Sequence, residues 1–482
     1  MGFRKIAGAA RMPDELRSVA KGSGGFTREQ YLGLAALILA AFLISNDFTA
    51  YSPALPAIER EFNADITSSQ WIINGYALVF GVFIITGGRL ADIYGRRRVF
   101  MIGAGIFIFF SVFGGLAMNM WMLLISRALM GMGAALMWPS ILAMTFSLMT
   151  YERSGLAGGI LMATCGLGNA IGPVLGGLLA DFFSWRWIFF LNVIIAMISM
   201  LACWWVVPPD KPRDIKEKID LPGVLLLCTS LFCLLFALDV SAEIGFKHPA
   251  VISLVVLFLV LLCLFTVVEY QVGKDALIPP DIAKNRKFLA VGVTTLLISV
   301  VFLSAVLYVP QFLANYRGYS ALQAGMSLIP LMVVSALVSV ISGRLYEVAG
   351  PKLLVSLGIL GMSVGMFLLS DLTSDTGFLE MCPGLIVLGV GIGLFNPSST
   401  TAGITVVEPH RASLAGAILY MFKIGGGAVG LGMNATIVAF APDVPSGIDR
   451  AFTVNAYLAL VGLIVCLFFV IGRPMEQSGE LH

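Results

Sequence analysis

Charged residues are scarce in this chain. Asp, Glu, Lys and Arg make up only 12% of its 482 residues, whereas 58% are hydrophobic and the mean hydropathy is +0.93. A soluble domain carries about twice that share of charge, so the composition excludes a water-soluble globule. The formal net charge of +2 is too small to indicate a nucleic-acid partner. Because apolar segments of about 20 residues cross a bilayer as helices, we expect an all-α polytopic membrane protein.

Residues that build metal sites, disulfides and nucleotide sites are also few or poorly placed. The three histidines are far apart in the sequence, and none of the seven cysteines forms a CxxC pair. We therefore expect no metal centre and no disulfides, with the thiols acting as small apolar residues. The chain has no Gly-x-x-x-x-Gly-Lys-Ser/Thr loop and no evident nucleophile–base arrangement. These absences argue against ATP-driven transport, against an enzyme and against a bound cofactor.

Fourteen apolar runs have the length of a membrane span, and they divide the chain into five regions. The first 30 residues are polar and basic without a short apolar core, so we expect no cleaved signal peptide. The predicted regions are an N-terminal segment (1–30), a six-helix bundle (31–207), a two-helix insertion with linkers (208–288), a second six-helix bundle (289–471) and a tail (472–482).

The distribution of basic residues predicts the orientation. Lys and Arg collect on the side of the membrane that holds both termini, by roughly five to one over the other side. Since basic loops stay in the cytoplasm, we expect both termini to be cytoplasmic.

The chain contains an internal repeat. The segment Gly88-Arg-Leu-Ala-Asp92-Ile-Tyr-Gly95-Arg-Arg-Arg returns, degraded, from Gly343 onward, and both copies join two apolar runs. An offset of 258 residues also aligns the glycine-rich segment after Arg153 with the one after Arg411. The first six spans therefore repeat as the last six in the same orientation. Parallel repeats of six spans are a known transporter architecture, with the substrate site near the midplane between them.

Four further segments carry unusual residues inside apolar spans. Span 1 contains Asp47-Phe-Thr followed by Ala-Leu-Pro, and span 4 contains Arg127-Ala-Leu-Met-Gly-Met-Gly. Span 5 contains Gly168-Asn-Ala-Ile-Gly172-Pro-Val-Leu-Gly-Gly, and span 13 contains Phe-Lys423-Ile-Gly-Gly.

In this order and on these spans, the motifs resemble those of the major facilitator superfamily, in its fourteen-span drug:proton antiporter branch. The resemblance covers roughly residues 30–471. It implies the major facilitator fold, with two six-helix bundles and two inserted central helices.

The resemblance also implies a conformational latch in the loop after span 2. In the family this loop stabilises the outward-facing state. Here Asp92 can accept hydrogen bonds from a helix N-terminus, and the glycines allow close approach of helices. The alternative is a basic loop that only sets the topology. The latch residues are Gly88, Asp92, Gly95, Arg96 and Arg97.

Asp47 and Arg127 are the candidate proton-coupling residues. An ionisable residue inside a span is costly, by roughly 2.5–3.5 kcal/mol on insertion scales, so it normally faces a cavity and has a function. Both lie about five residues from the outer ends of their spans, and this similar depth, together with the resemblance, predicts that they are neighbours that form an ion pair. When the pair separates, Asp47 takes up a proton. The alternatives are a structural Asp at the interface and an Arg that extends to the surface. Met130 stands where the family usually has glutamine.

The span 5 segment matches the antiporter motif of the superfamily, with Gly168, Gly172, Pro173, Gly176 and Gly177 as its members. Small residues let helices approach closely, and the proline removes one backbone hydrogen bond and can bend the span. Ordinary helix packing is the alternative interpretation.

Lys423 and Asn169 are the expected polar residues of the substrate cavity. Lys423 stands where the pattern of the same branch has an Arg, and it lies near the middle of span 13. A buried cation there can neutralise a carboxylate, bind an anionic substrate group or repel cations, or it can simply bind a backbone carbonyl.

We therefore expect a proton-coupled exporter of amphiphilic organic compounds, working by alternating access in the cell membrane, bacterial by its short tails, and as a monomer. The partners implied are the substrate, protons and the lipid bilayer. A dedicated exporter of a lipid, siderophore or metabolite remains an alternative, and a proton symporter or a channel is a more distant one.

Overall fold

The computed structural model describes residues 28–64, 66–149, 153–208, 220–245, 247–273, 276–319, 321–371 and 376–469. Almost all of the predicted N-terminal segment and the whole predicted tail (472–482) lie outside these residues. Within them the regular secondary structure is helical, with no β-strand.

The helices are numbered here in chain order. They are α1 (Arg28–Ala50), α2 (Leu55–Phe62), α3 (Ile66–Tyr94), α4 (Arg96–Gly115), α5 (Met120–Leu148), α6 (Ser154–Phe182), α7 (Arg186–Val206), α8 (Leu221–Ile244), α9 (Pro249–Val272), α10 (Pro280–Ala283), α11 (Arg286–Arg317), α12 (Ala321–Met326), α13 (Ile329–Leu369), α14 (Phe378–Thr405), α15 (Ala412–Ala439) and α16 (Val444–Phe469).

Several long helices begin at side-chain caps that the sequence provides. Asn119 accepts a hydrogen bond from the backbone N–H of Met122 at 2.8 Å, which caps α5. Asp220 caps α8 in the same way, through the N–H of Gly223 at 3.0 Å. Such caps satisfy backbone donors that have no partner within the helix.

Eleven helices in the described ranges are long and apolar enough to cross a membrane by length and composition. The stretch Gln323–Leu369 counts once among them, although Gly350 breaks α13 with a non-helical backbone (φ 76°, ψ 164°). Leu221–Ala237 is a shorter apolar helix. The count of fourteen spans and the side on which the termini lie therefore stay predictions.

Two glycines make the turns that the repeated loop predicts. Gly95 separates α3 from α4 with φ 104°, and Gly350 divides α13 with φ 76°. Positive φ is readily available only to glycine. The second copy of the loop has thus kept the glycine at the bend although much of its charge is gone.

The long helices group into two bundles that share one continuous hydrophobic core. The first bundle packs α1 against α6 and α7, and α5 against α3 and α4, while the second packs α13 against α14 and α16, and α11 against α15 and α16. The bundles meet where α6 contacts α13 and where α3 contacts α15. The repeat relates these two contacts, since α6 corresponds to α15 and α3 to α13.

The inserted helices α8 and α9 pack on each other at the side of the molecule. Of the two, α8 also contacts α3 and α15, one helix from each bundle. The side chain of Cys228 on α8 lies 3.6 Å from the hydroxyl of Thr86 on α3. The insertion therefore rests on the seam between the bundles.

Candidate functional site

A buried ion pair lies in the interior of the first bundle. Nη1 of Arg127 on α5 donates to Oδ2 of Asp47 on α1 at 2.7 Å, and both side chains are 0% exposed. The second carboxylate oxygen of Asp47 accepts a hydrogen bond from Nδ2 of Asn192 at 2.6 Å. The structure thus brings together the two residues whose depth in the sequence predicted the pair, and adds Asn192 from α7.

Aromatic rings and a backbone carbonyl complete the surroundings of Arg127. Its guanidinium lies between the rings of Tyr51 and Tyr76, at 4.1 and 4.3 Å from their centroids. Its Nε donates to the carbonyl of Ile72 at 2.9 Å. Cation–π contact is strongest when the cation is shielded from water, so these rings help to hold Arg127 charged inside the bundle.

The pair does not face the cavity, and the expectation that Asp47 is a cavity-facing carboxylate is wrong for this conformation. The neighbouring residues Ser45, Phe48 and Thr49 line the cavity, whereas Asp47 points the other way, into the bundle. Phe48 itself lines the cavity, and its ring lies edge-on to that of Tyr76, with 4.9 Å between the centroids. Asp47 and Phe48 point in different directions because successive side chains on a helix are about 100° apart around its axis.

The latch loop connects the two bundles. The carboxylate of Asp92, at the end of α3, accepts hydrogen bonds from the backbone N–H groups of Ser413 (3.3 Å) and Leu414 (2.9 Å) in the first turn of α15. A carboxylate at this place satisfies free backbone donors and complements the helix dipole. Arg96 lies 3.7 Å from the same carboxylate and also donates to the carbonyl of Pro409.

The other latch residues have separate tasks. Gly88 lies so close to α15 that a Cβ would be 2.7 Å from the Cβ of Ala417 and 2.8 Å from the carbonyl oxygen of Ser413. Gly95 makes the turn described above, and Arg97 donates to the carbonyl of Trp204 within the first bundle. The latch therefore closes one end of the seam between the bundles.

A second close contact closes the same end. Gly155 and Gly159 on α6 pack directly against Gly343 on α13, where a Cβ on any of the three would overlap the facing backbone. The sequence marks these glycines only as parts of the repeat. Their position shows that the copy of the loop from Gly343 onward contributes to bundle contact as well.

The antiporter motif packs α6 onto α1, the helix that carries Asp47. Gly168, Gly172 and Gly176 form a stripe at which a Cβ would meet backbone or side-chain atoms of α1. Pro173 lies inside α6, and Gly177 has ordinary room for a Cβ, with Pro53 at 3.7 Å. The hydroxyl of Thr49 donates to the backbone carbonyl of Asn169 at 3.2 Å, which ties α6 to α1 again.

A cavity of about 620 Å³ lies between the bundles, within the usual range for drug-sized ligands. Its lining is mostly apolar and aromatic, with polar atoms contributed by a few side chains. Both predicted cavity residues, Asn169 and Lys423, line it. Among the described lining residues, Lys423 is the only one with an ionisable acidic or basic side chain of the Asp, Glu, His, Lys or Arg type.

An aromatic cluster forms the wall where the two bundles meet. Tyr420 of α15 contacts Trp138 of α5 (ring centroids 5.0 Å apart) and Phe80 of α3 (5.5 Å). Phe80 in turn contacts Phe48 at 5.4 Å and Tyr76 at 6.3 Å. Rings in contact therefore lead from the cavity wall to the guanidinium of Arg127. Single aromatic residues in apolar spans carry no signal for this arrangement in the sequence.

The sequence is similar to a well-populated family. Residues 37–431 match the model of the Major Facilitator Superfamily. The puromycin resistance protein pur8 of Streptomyces alboniger is 33% identical over 457 residues, which cover 92% of this chain and 89% of that protein. Multidrug resistance protein 3 of Bacillus subtilis is 28% identical over 404 residues, covering 83% and 78%.

A solved structure shares the fold. The human organic anion transporter MFSD10 (TETRAN) superimposes with a TM-score of 0.66 at 14% identity, covering 91% of this chain and 99% of that one.

Proposed function

The chain belongs to the Major Facilitator Superfamily, and we propose that it is a proton-coupled antiporter that exports amphiphilic organic compounds from the cell. Its relatives are named for drug and antibiotic resistance, which supports drug export. We assign it to the fourteen-span drug:proton antiporter branch, in the cell membrane with both termini inside.

The observation that carries the proposal is the large apolar cavity between two bundles that are held together at one end. With the latch on the cytoplasmic side, as the basic loops predict, we infer an outward-facing state. In that state the cavity releases substrate to the outside. Opening of the latch, with closure at the opposite end, exposes the same cavity to the cytoplasm, which is alternating access.

Proton coupling rests on the ion pair of Asp47 and Arg127. Protonation of Asp47 removes the negative charge that Arg127 binds, and leaves a buried cation without its partner. A buried charge in that position is costly, so protonation destabilises this arrangement of α1 against α5 and favours the other conformation. Because the antiporter glycines pack α6 on α1, a shift of α1 reaches the seam between the bundles.

Energy for export comes from the proton gradient. Each positive charge that moves inward across 100 mV supplies about 2.3 kcal/mol, to which the pH difference adds. The proposal requires no cofactor.

Gradient-driven transport of puromycin into inverted proteoliposomes tests the proposal. We expect accumulation of puromycin when the lumen is acidic, and its loss when an ionophore collapses the gradient. Accumulation that is independent of the gradient would refute coupled antiport. Asp181→Asn serves as a control, because this exposed carboxylate lies at the end of α6, away from the ion pair, and it should leave transport unchanged.

A dedicated exporter of a single compound is the second candidate. The name of the puromycin resistance protein, for one antibiotic, favours it. Growth of a deletion strain on a panel of unrelated drugs separates the two, because a multidrug exporter protects against several of them and a dedicated one against a single compound.

A further inference from the structure

We propose that, among amphiphiles with an aromatic body, the cavity binds those with a single negative charge most tightly, and that Lys423 is the residue that creates this preference. The inference rests on the proposed function in that it treats the cavity as the substrate site, and it names the class of substrate. Its test is a binding measurement that needs no proton gradient.

The side chains that line the cavity favour an anionic ligand over a cationic one. Among the described residues that line the cavity, only Lys423 has a side chain of the Asp, Glu, His, Lys or Arg type, and none of the ion pairs formed by described residues involves it. The nearest carboxylate in a transport role, Asp47, is turned away from the cavity and bound by Arg127 and Asn192. A cationic ligand in this cavity therefore meets a like charge and no carboxylate.

The surroundings of Lys423 strengthen the electrostatic attraction between its ammonium group and an anion. Its ammonium lies 5.9 Å from the ring centroid of Phe302 and 5.7 Å from that of Tyr420, and the rest of the wall is largely apolar. Charges attract more strongly where water is excluded, and about fourfold more strongly at an effective dielectric constant of 20 than in bulk water. An anionic group beside Lys423 would also give the half-buried ammonium a counter-charge.

Two hydroxyls of the cavity wall are already engaged as hydrogen-bond donors. The hydroxyls of Thr295 and Ser299 donate to carbonyls of their own helix, at 2.8 and 2.7 Å, so their protons are already used. Hydroxyls engaged in this way still accept hydrogen bonds, but they do not compete with Lys423 as donors.

The aromatic wall supplies the second half of the selectivity. Tyr420 contacts both Lys423 and the cluster of Trp138 and Phe80. A flat aromatic ligand can stack on this wall while its charged group reaches the ammonium. Aromatic contacts of this kind add about 0.5–1.5 kcal/mol beyond the burial of area.

Protection of Cys165 provides a readout at the site itself. This thiol lines the cavity and lies close enough to Lys423 for their charges to interact. The purified protein in nanodiscs is treated with N-ethylmaleimide, and the alkylation rate of Cys165 is followed by mass spectrometry of its peptide. Three probes of matched shape are added in turn: anthracene-9-carboxylate, anthracene-9-carboxamide and 9-(aminomethyl)anthracene.

We expect the carboxylate to protect Cys165 at a concentration at least about tenfold lower than the amide, which corresponds to roughly 1.4 kcal/mol, and the amine to protect least. Lys423→Met should abolish the advantage of the carboxylate, and Lys423→Arg should retain it. Lys287→Met removes an equal charge from an exposed position on α11 and should change nothing. Rates are compared with and without probe for each variant, because Lys423 itself affects the thiol.

Equal protection by the three probes in the wild-type protein would overturn the inference, without the need for any variant. Preference for the carboxylate that survives in Lys423→Met would overturn the role of this residue. Neither result decides the proposed antiport, which the gradient-driven transport of puromycin tests separately. Conversely, transport that does not depend on the proton gradient would refute antiport and leave the charge selectivity intact.

Discussion

The substitution Asp47→Asn should destabilise the folded protein through the charge that it leaves behind. Arg127 is fully buried and has one carboxylate partner, so an amide at position 47 leaves a guanidinium cation in the bundle without a counter-charge. Removal of one partner of a buried pair costs roughly 3–5 kcal/mol. The rings of Tyr51 and Tyr76 remain in contact with the cation, which places the expected loss near the lower end of that range.

The double variant Asp47→Asn/Arg127→Met isolates the cause. With both charges removed, the unbalanced cation is gone, and replacement of a buried pair by apolar groups of similar volume is often nearly neutral. The free energy of unfolding in mixed micelles, measured by titration with denaturing detergent, should therefore fall for the single variant and largely recover for the double variant. Equal stability of Asp47→Asn and the wild type would refute the reasoning, since it would show that Arg127 does not depend on Asp47.

Three further predictions concern the latch, the packing of α6 and the rim of the first bundle. Asp92→Ala leaves two backbone donors of α15 without their acceptor, at a cost of about 1–3 kcal/mol, and should increase labelling of thiols introduced at the latch end by a membrane-impermeant reagent. Gly176→Ala places a Cβ against a backbone carbonyl of α1 and should cost about 1–3 kcal/mol of stability, whereas Gly177→Ala should be nearly neutral in the same unfolding assay. A hydrogen bond from Arg186, with a smaller one from Trp185, lowers the pKa of Glu61 below its usual value of 4.5. The bond therefore contributes fully to stability above pH 4.5, and this contribution is lost as the pH falls through the lowered pKa. Because the pair is largely exposed, the contribution is at most about 1 kcal/mol. We expect the melting temperature of Arg186→Gln to fall less than that of the wild type over this pH range.

Much of the site follows from the sequence because ionisable residues are rare in apolar spans. Asp47 and Arg127 stand out for that reason, and their similar depth from the same side of the membrane, together with the family resemblance, predicts their contact. The motif also indicated that Asp92 accepts hydrogen bonds from a helix N-terminus or pairs with the basic cluster, whereas only the structure shows that the helix is α15 of the second bundle. Its role as a latch stays a prediction.

Other features of the site could not be predicted, for a physical reason. A helix that is apolar on every side gives no periodic signal of which face turns to the cavity and which to the bundle interior. The rotation that places Phe48 in the cavity wall and Asp47 behind it is therefore invisible in the sequence. Asn192 was a weaker signal, as an amide in an apolar span, and its bond to Asp47 depends on the packing of α7 against α1.

The cavity wall likewise depends on tertiary packing. Tyr420 and Trp138 come from different bundles and are separated by most of the chain, so only the fold brings their rings to 5.0 Å. The position of Lys423 in the middle of a span indicated the cavity, whereas only the structure shows that none of the described lining residues carries a carboxylate.

Proton-driven export depends, in this mechanism, on the proton that Asp47 carries. Proteoliposomes that hold the purified protein and a pH-sensitive dye test it directly, with wild type, Asp47→Asn/Arg127→Met and the Asp181→Asn control compared as puromycin and the anthracene probes are added in turn. We expect proton movement triggered by substrate in the wild type and in Asp181→Asn, and none in the double variant, although Cys165 remains protected by the bound compound. Proton movement that is unchanged without Asp47 and Arg127 would contradict the account, because it would place the coupling site elsewhere in the chain.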